Sequence, residues 1–255
     1  MRIRTVALAL LLGGVAHAQR PSPSPRSAGL TATFLGNEAW HITDGEYTVI
    51  TDFPYQSGYS GYMTWDWSAV PKVADPRKLL LVITHEHRDH FAAELVTRVG
   101  AATVIGPAKV RAAAGLEGIA ATAEARFGPI RVHALPTPHA RLEHYSYILD
   151  WQGIRIYVPG DTEEPASLLG ASNLDVAFVT PWMLRSIERA RATIDARKVI
   201  VVHHGATERV SAYQGAVVPR QGAMVQLQSP STGPGETNVS GRPSVRSAVS
   251  GAPPL

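Results

Sequence analysis

Residues 79–90 read Leu79-Leu80-Leu81-Val82-Ile83-Thr84-His85-Glu86-His87-Arg88-Asp89-His90, and two signals meet there. The first five residues are a continuous apolar run, as expected of a strand buried on both faces. The polar residues that follow place three histidines and an aspartate in six positions. In an extended segment, residues two apart point the same way. His85 and His87 can therefore reach one metal ion together. Asp89 and His90, at the chain turn, can point to a second position beside it. Imidazole and carboxylate are the ligands zinc accepts where thiolate is absent, and the chain has no cysteine. The C-terminal end of a buried strand is also where open α/β sheets place their sites. The competing reading is a solvated polar loop, against which the density of ligand-type residues weighs.

Outward from this stretch, short β-runs interleave with helical segments. Residues 30–42 and 47–53 are β-rich and flank Asp44-Gly45, a hairpin turn signal. Phe91, Leu95, Val96 and Val99 fit one helical face. Strands are predicted over 103–105, 130–135, 145–150, 154–158, 176–180, 198–202 and 223–228, and helices over 109–116 and 183–194. Local hairpins among interleaved helices predict an α/β layered fold with mixed sheets.

The 255 residues are 45% apolar and 18% charged, which excludes disorder across the whole chain. Without cysteine there is no disulfide framework, iron–sulfur cluster, thiolate zinc site or cysteine nucleophile. A net charge of +3 is too small an excess to imply nucleic acid as a partner. Residues 1–18 carry Arg2 and Arg4, a short apolar run and the Ala16-His17-Ala18 cleavage pattern of a signal peptide. The run is shorter than a bilayer span. The expectation is therefore a periplasmic or secreted protein with no membrane anchor after cleavage. Residues 19–28 read as a flexible linker and 29–228 as one folded domain. Residues 229–255, more than half Gly, Pro and Ser, read as a disordered tail.

Thr84-His85-Glu86-His87-Arg88-Asp89-His90 resembles the signature of the metallo-β-lactamase fold superfamily of binuclear metal hydrolases. Later elements follow in that family's order. His139 in Pro136-Thr137-Pro138-His139 stands where the family has its third histidine. Gly160-Asp161-Thr162 resembles its metal-bridging carboxylate element, and His204-Gly205 its closing histidine. The likeness spans about residues 50–206. It implies an αββα sandwich of two mixed sheets flanked by helices. It also implies two divalent metal ions, zinc by default with manganese or iron as alternatives. His85, His87 and His139 would hold the first, Asp89, His90 and His204 the second, and Asp161 would bridge. A hydroxide held between the metals would attack a carbonyl or phosphoryl centre of a small-molecule substrate. Asp89 would also orient the nucleophile, and His144 is a candidate proton donor.

Alternatives remain within this set. His203 adjoins His204, and strand alternation sends the two to opposite faces; the His-Gly order favours His204. His144 competes with His139 for the third histidine position. His133 and His41 read as structural, and Asp52 as either a strand-end residue or a partner of a ligand. Tyr55, Tyr59, Tyr62, Trp65 and Trp67 crowd one stretch that either contacts substrate or packs over a sheet edge. Trp182 could reach the same rim. The pattern is most similar to lactonase-type members. The rivals are a β-lactam-hydrolysing enzyme of the cysteine-free subclass, which generally lacks the bridging carboxylate, and a non-catalytic metal-binding protein.

Overall fold

The structure is a computed structural model that describes residues 29–228 except 57–62, 66–69, 71, 102, 122–123, 211–212 and 214. The leader, linker and tail expected at 1–18, 19–28 and 229–255 lie outside the described residues, as do Tyr59, Tyr62 and Trp67. Among the described residues, no helix is long and apolar enough to cross a membrane.

The buried run after Lys78 forms β4 (Leu79–Val82), and its alternation builds the molecule. Leu80 and Val82 face a second sheet, whereas Leu79, Leu81 and Ile83 face helices on the opposite side. Around β4 lie β1 (Leu30–Gly36), β2 (Ala39–Thr43), β3 (Thr48–Thr51), β5 (Thr103–Gly106), β6 (Glu117–Ala120) and β13 (Met224–Leu227), in the order β13-β1-β2-β3-β4-β5-β6. The second sheet contains β7 (Ala125–Phe127), β8 (Ile130–Pro136), β9 (Tyr145–Trp151), β10 (Ile154–Val158), β11 (Leu174–Val179) and β12 (Ala196–Val201), in the order β12-β11-β10-β9-β8-β7. Both sheets are mixed: β3–β6 are mutually parallel, as are β10–β12, and the remaining pairs are antiparallel, hairpins except where β13 returns to pair with β1.

The space between the sheets is closed by large side chains. Trp40 stacks on Phe178 at 4.7 Å between centroids and meets Phe34 in a tilted contact at 5.0 Å. The outer face of the first sheet carries α1 (Val96–Val99) and α2 (Ala108–Ala114), through Val96, Val110 and Ala114. The outer face of the second carries α3 (Ala166–Leu169) and α4 (Pro181–Ala190), through Leu168, Met183, Leu184 and Ile187. The fold is the expected αββα sandwich.

Differences from the sequence reading have local causes. The helix expected over 183–194 begins two residues earlier, because Thr180 caps it by accepting from Met183 N and Pro181 fits its first turn. It stops at Arg191, whose φ of 51° turns the chain out of the helix. The helical face from Phe91 splits into a 3₁₀ turn (Ala93–Leu95) and the short α1. β6 is a mostly exposed edge strand without the apolar alternation that would announce it.

Candidate metal centre

The ends of β4, β8, β10 and β12 lie at one edge of the sandwich, and each delivers a histidine or aspartate there. The chain leaves β4 through Thr84 and His85, then turns: His90 N and Phe91 N both donate to His87 O. That turn folds Asp89 and His90 back beside His85. The rest of the cluster comes from His139 after β8, Asp161 after β10 and His203 after β12.

Two donor sets result. In the first, His87 Nδ1 is 2.9 Å from His85 Nε2 and 3.2 Å from His139 Nε2. Asp161 Oδ2 stands 3.7 Å from both His85 Nε2 and His139 Nε2. In the second, His203 Nε2 is 3.1 Å from His90 Nε2 and 3.4 Å from Asp89 Oδ2. Asp161 Oδ1 is 3.3 Å from His90 Nε2 and 3.4 Å from His203 Nε2. One carboxylate thus offers an oxygen to each set. His85, His87, His139 and Asp161 group within reach of one ion, and Asp89, His90, His203 and Asp161 within reach of another.

The spacing fits metal ions. Ligands at the usual zinc distances around a tetrahedral ion stand roughly 3.3 Å from one another. The chemistry fits as well, because three imidazole nitrogens converging within 3.2 Å cannot all satisfy each other by sharing protons. Asp161 Oδ1 is buried with no donor in hydrogen-bonding geometry among the described residues. Orphaned acceptors of this kind are rare unless something else satisfies them.

His204, the residue favoured from the sequence, does not join either set. Its ring stacks on Phe34 at 5.7 Å, toward the space between the sheets, and its Nδ1 meets Gly205 O at 3.1 Å. Alternation along the chain explains the correction: Ile200 and Val202 face the inter-sheet core, and His204 continues that face. His203 turns the other way. Its φ of 53° and the bond from its N to Asn37 O at 2.7 Å place it against His90. The edge of Trp182 lies against its ring, 5.0 Å between centroids.

His139, and not His144, is the histidine brought to His87. His144 is not placed to donate a proton to a substrate either. Its Nε2 meets Asp161 N at 2.9 Å and its Nδ1 meets Thr137 Oγ1 at 2.8 Å, so both ring nitrogens are engaged inside the protein.

Behind the second set lies a layer of polar support. Asp52, fully buried with φ 39°, accepts from Thr84 N at 2.7 Å and from Thr84 Oγ1 at 2.9 Å. Its Oδ2 also meets His90 Nδ1 at 3.0 Å. A carboxylate on the far nitrogen fixes the tautomer of a ligating histidine and leaves Nε2 free for the metal. Asn37 and Glu38, in the turn between β1 and β2, were not singled out from the sequence. Asn37 Nδ2 donates to Asp89 O at 3.3 Å, and its side-chain oxygen accepts from Met63 N. Glu38 is buried beside Asp52 and His90, and among the described residues neither of its side-chain oxygens has a partner in hydrogen-bonding geometry. Burial pushes its carboxyl well above the ordinary range. A short polar pair in a hairpin turn looks like any solvated turn, so sequence carried no signal for either.

The electrostatics follow the geometry. Burial opposes charge on Asp161, but His90 and His203 outweigh it and hold the carboxyl below its ordinary value. Burial likewise opposes charge on His90, yet Asp161 and Asp52 on its two sides raise it well above the usual imidazole range. Burial lowers His85 and His139, and pushes His144 down to about 4. The first set is the solvent-facing one: the His139 side chain is 18% exposed and that of His203 1%.

The remaining expectations resolve outside the cluster. His133 pairs with Asp150 at 3.0 Å and His41 is buried in β2. Glu86, between the two motif histidines, turns away to pair with Lys109 at 2.7 Å. Tyr55 and Trp65 pack inward: Trp65 lies on Phe53 at 4.6 Å, and the Tyr55 hydroxyl donates to Met63 O. In the described part of the aromatic stretch, packing prevails over a rim.

Replacing Asp52 by Ala is expected to free the His90 ring and weaken metal binding by about 10–100-fold. Zinc competition against a chromophoric chelator, with circular dichroism to confirm the fold, measures this. Unchanged affinity would remove Asp52 from the account.

A family model described as a beta-lactamase superfamily domain matches residues 31–210, and the chain belongs to that family. Solved structures share the fold. Igni18, a metallo hydrolase of the archaeon Ignicoccus hospitalis, is 18% identical with a TM-score of 0.60, over 79% of this chain and 99% of its own. YhfI of Bacillus subtilis, a metallo-beta-lactamase fold protein, is 13% identical with a TM-score of 0.55, over 77% of this chain and 99% of its own. A diphosphatase from the PhnP family is 14% identical with a TM-score of 0.53, over 77% of this chain and 96% of its own. Comparison with curated proteins returns no match.

Proposed function

We propose that this chain is an exported metal-dependent hydrolase that holds two divalent cations and acts on a carbonyl or phosphoryl centre of a small molecule, most like the lactonase-type members of its fold. One observation carries the reading: Asp161 presents Oδ2 to His85 and His139 and Oδ1 to His90 and His203. A shared carboxylate between two sets of this kind also speaks against the β-lactam-hydrolysing alternative. Zinc is the first choice of metal for the histidine-rich first set, and the more carboxylate-rich second set also suits manganese or iron. Export rests on the leader pattern of residues 1–18.

Two cations bound there supply Lewis acidity and bring the ionisation of water toward neutral pH. The residues do the rest. Of the first set, His85 is buried while His87 and His139 are partly open to solvent, so substrate approaches over His139. Asp161 holds the two sets in register. Asp89, reached by His203 and supported from behind by Asn37, can orient a water beside the second set and accept its hydrogen bond. Asp52 keeps the His90 ring aimed. The partial exposure of the first set alone separates an enzyme from a closed storage site, whose ligands would shut out both water and substrate.

The expected result is hydrolysis of at least one probe in a panel of simple lactones, bis(p-nitrophenyl) phosphate and nitrocefin. It should be lost on dialysis against chelator and restored by zinc or manganese. Lactone turnover supports the lactonase reading, phosphodiester turnover moves the substrate class to phosphoryl centres, and nitrocefin turnover restores the β-lactam reading. Full activity after complete metal removal would falsify the mechanism.

A further inference from the structure

We infer that His144 is a positioning residue that fixes the main chain beneath the bridging carboxylate through a closed ring of hydrogen bonds with a single permitted set of protons. This rests on the two-metal reading above.

The ring begins at Asp161 N, which donates to His144 Nε2 at 2.9 Å. A backbone N–H can only donate, so Nε2 must be the bare nitrogen and the ring proton sits on Nδ1. Nδ1 then donates to Thr137 Oγ1 at 2.8 Å. Thr137 Oγ1 also accepts from Ser146 N at 3.1 Å, which occupies its lone pairs. Its own hydrogen goes to Ser146 Oγ at 3.2 Å, and the Ser146 hydroxyl donates to Pro159 O at 2.6 Å. Pro159 stands two residues before Asp161. The chain of bonds therefore leaves the segment Pro159-Gly160-Asp161 at its last amide and returns to its first carbonyl.

Each member has one role, and reversing any of them breaks two bonds. His144 and Ser146 are buried, so a broken member leaves a partner without water to replace it. The ring also needs the glycine between its ends. Gly160 has φ 62°, and a Cβ there would lie 2.3 Å from His144 Nε2. The bare backbone lets the imidazole approach until it can accept from the next amide. The segment so held carries the one carboxylate that must meet both donor sets at once, where a small swing would satisfy one set at the cost of the other.

The test compares the full chain with His144→Leu, His144→Gln and Thr137→Val, each loaded with zinc and separately with cobalt. Gln places an acceptor and a donor about where the two ring nitrogens stand, whereas Leu fills space without either. The wild type is expected to retain about two metals per chain for a binuclear site. His144→Leu should weaken zinc binding by about 10–100-fold and change the visible spectrum of the cobalt form. His144→Gln should recover most of both, and Thr137→Val should shift in the direction of Leu. Nitrogen NMR of the metal-free wild type should show His144 protonated on Nδ1. A ring protonated on Nε2 overturns the inference. So does a His144→Leu variant that binds both metals as the wild type does, with an unchanged cobalt spectrum, while the wild type holds two. A wild type that takes up no metal overturns the two-metal reading and this inference together.

Discussion

Asp161→Ala is expected to leave at most about one metal per chain where the wild type holds two. Turnover of any substrate found should fall by at least ~10²-fold, the upper range for loss of a group that orders a metal site. The magnitude follows from the sharing. A residue that serves one ion can be lost with the other ion intact, but both donor sets lean on the two oxygens of Asp161. After its removal, the first set keeps three neutral imidazoles and the second keeps His90, His203 and a single carboxylate. The fold itself should tolerate the change. Truncation does remove the carboxylate that stands 3.3 Å from His90 Nε2 and 3.4 Å from His203 Nε2, so each protein's metal-free melting temperature serves as its own baseline. The contrast then shows in thermal unfolding. Zinc at 100 times its dissociation constant adds about 2.7 kcal/mol per site to a protein that binds it only when folded. Measured from its own metal-free baseline, the wild type should gain Tm with zinc and Asp161→Ala should gain far less. Equal zinc uptake by both would remove the bridge from the account.

The second large effect separates two neighbours. His203→Ala is expected to lose the second metal, whereas His204→Ala keeps both. Elemental analysis after gel filtration reads the difference directly. His203 Nε2 lies among His90, Asp89 and Asp161, and no other described side chain takes its place. His204 instead stacks on Phe34 at the top of the inter-sheet core. Its removal should cost stability through lost packing, seen as a lower denaturation midpoint in urea with the metal content unchanged. The reverse outcome, metal lost with His204 and kept without His203, would return the ligand to the residue that the His-Gly order favours.

That pair also marks where sequence stops being informative. The motif at 85–90 was legible because its ligands are close in the chain, and β4 before it is apolar at every position. His139 and Asp161 were legible because, each following a strand, they fall in the order of the family's elements. The choice between His203 and His204 was not, because residues 199–202 are apolar on both faces and give alternation no reference side. Only the observation that Val202 faces the inter-sheet core, and that His203 takes a left-handed turn, settles which ring points where. His144 misled for a related reason. A histidine near other histidines suggests proton chemistry, but its role is fixed by Thr137, Ser146 and the Asp161 amide, which lie at other points of two strands and a loop. Asn37 and Glu38 illustrate the converse: polar residues of a hairpin turn that tertiary packing carries into the site. A layered α/β fold with mixed sheets was legible from the β-runs and the αββα order from the family resemblance, whereas the exposed edge strand β6 and the four-residue α3 carried too little pattern to be seen.

The most direct test of the central claim is anomalous diffraction at the zinc edge from crystals of the zinc-loaded full chain. The account predicts two peaks per molecule, roughly 3.5–4 Å apart as in two-metal sites. One should lie among His85, His87 and His139, the other among Asp89, His90 and His203, with Asp161 between them. A single peak, or peaks away from Asp161, would contradict it.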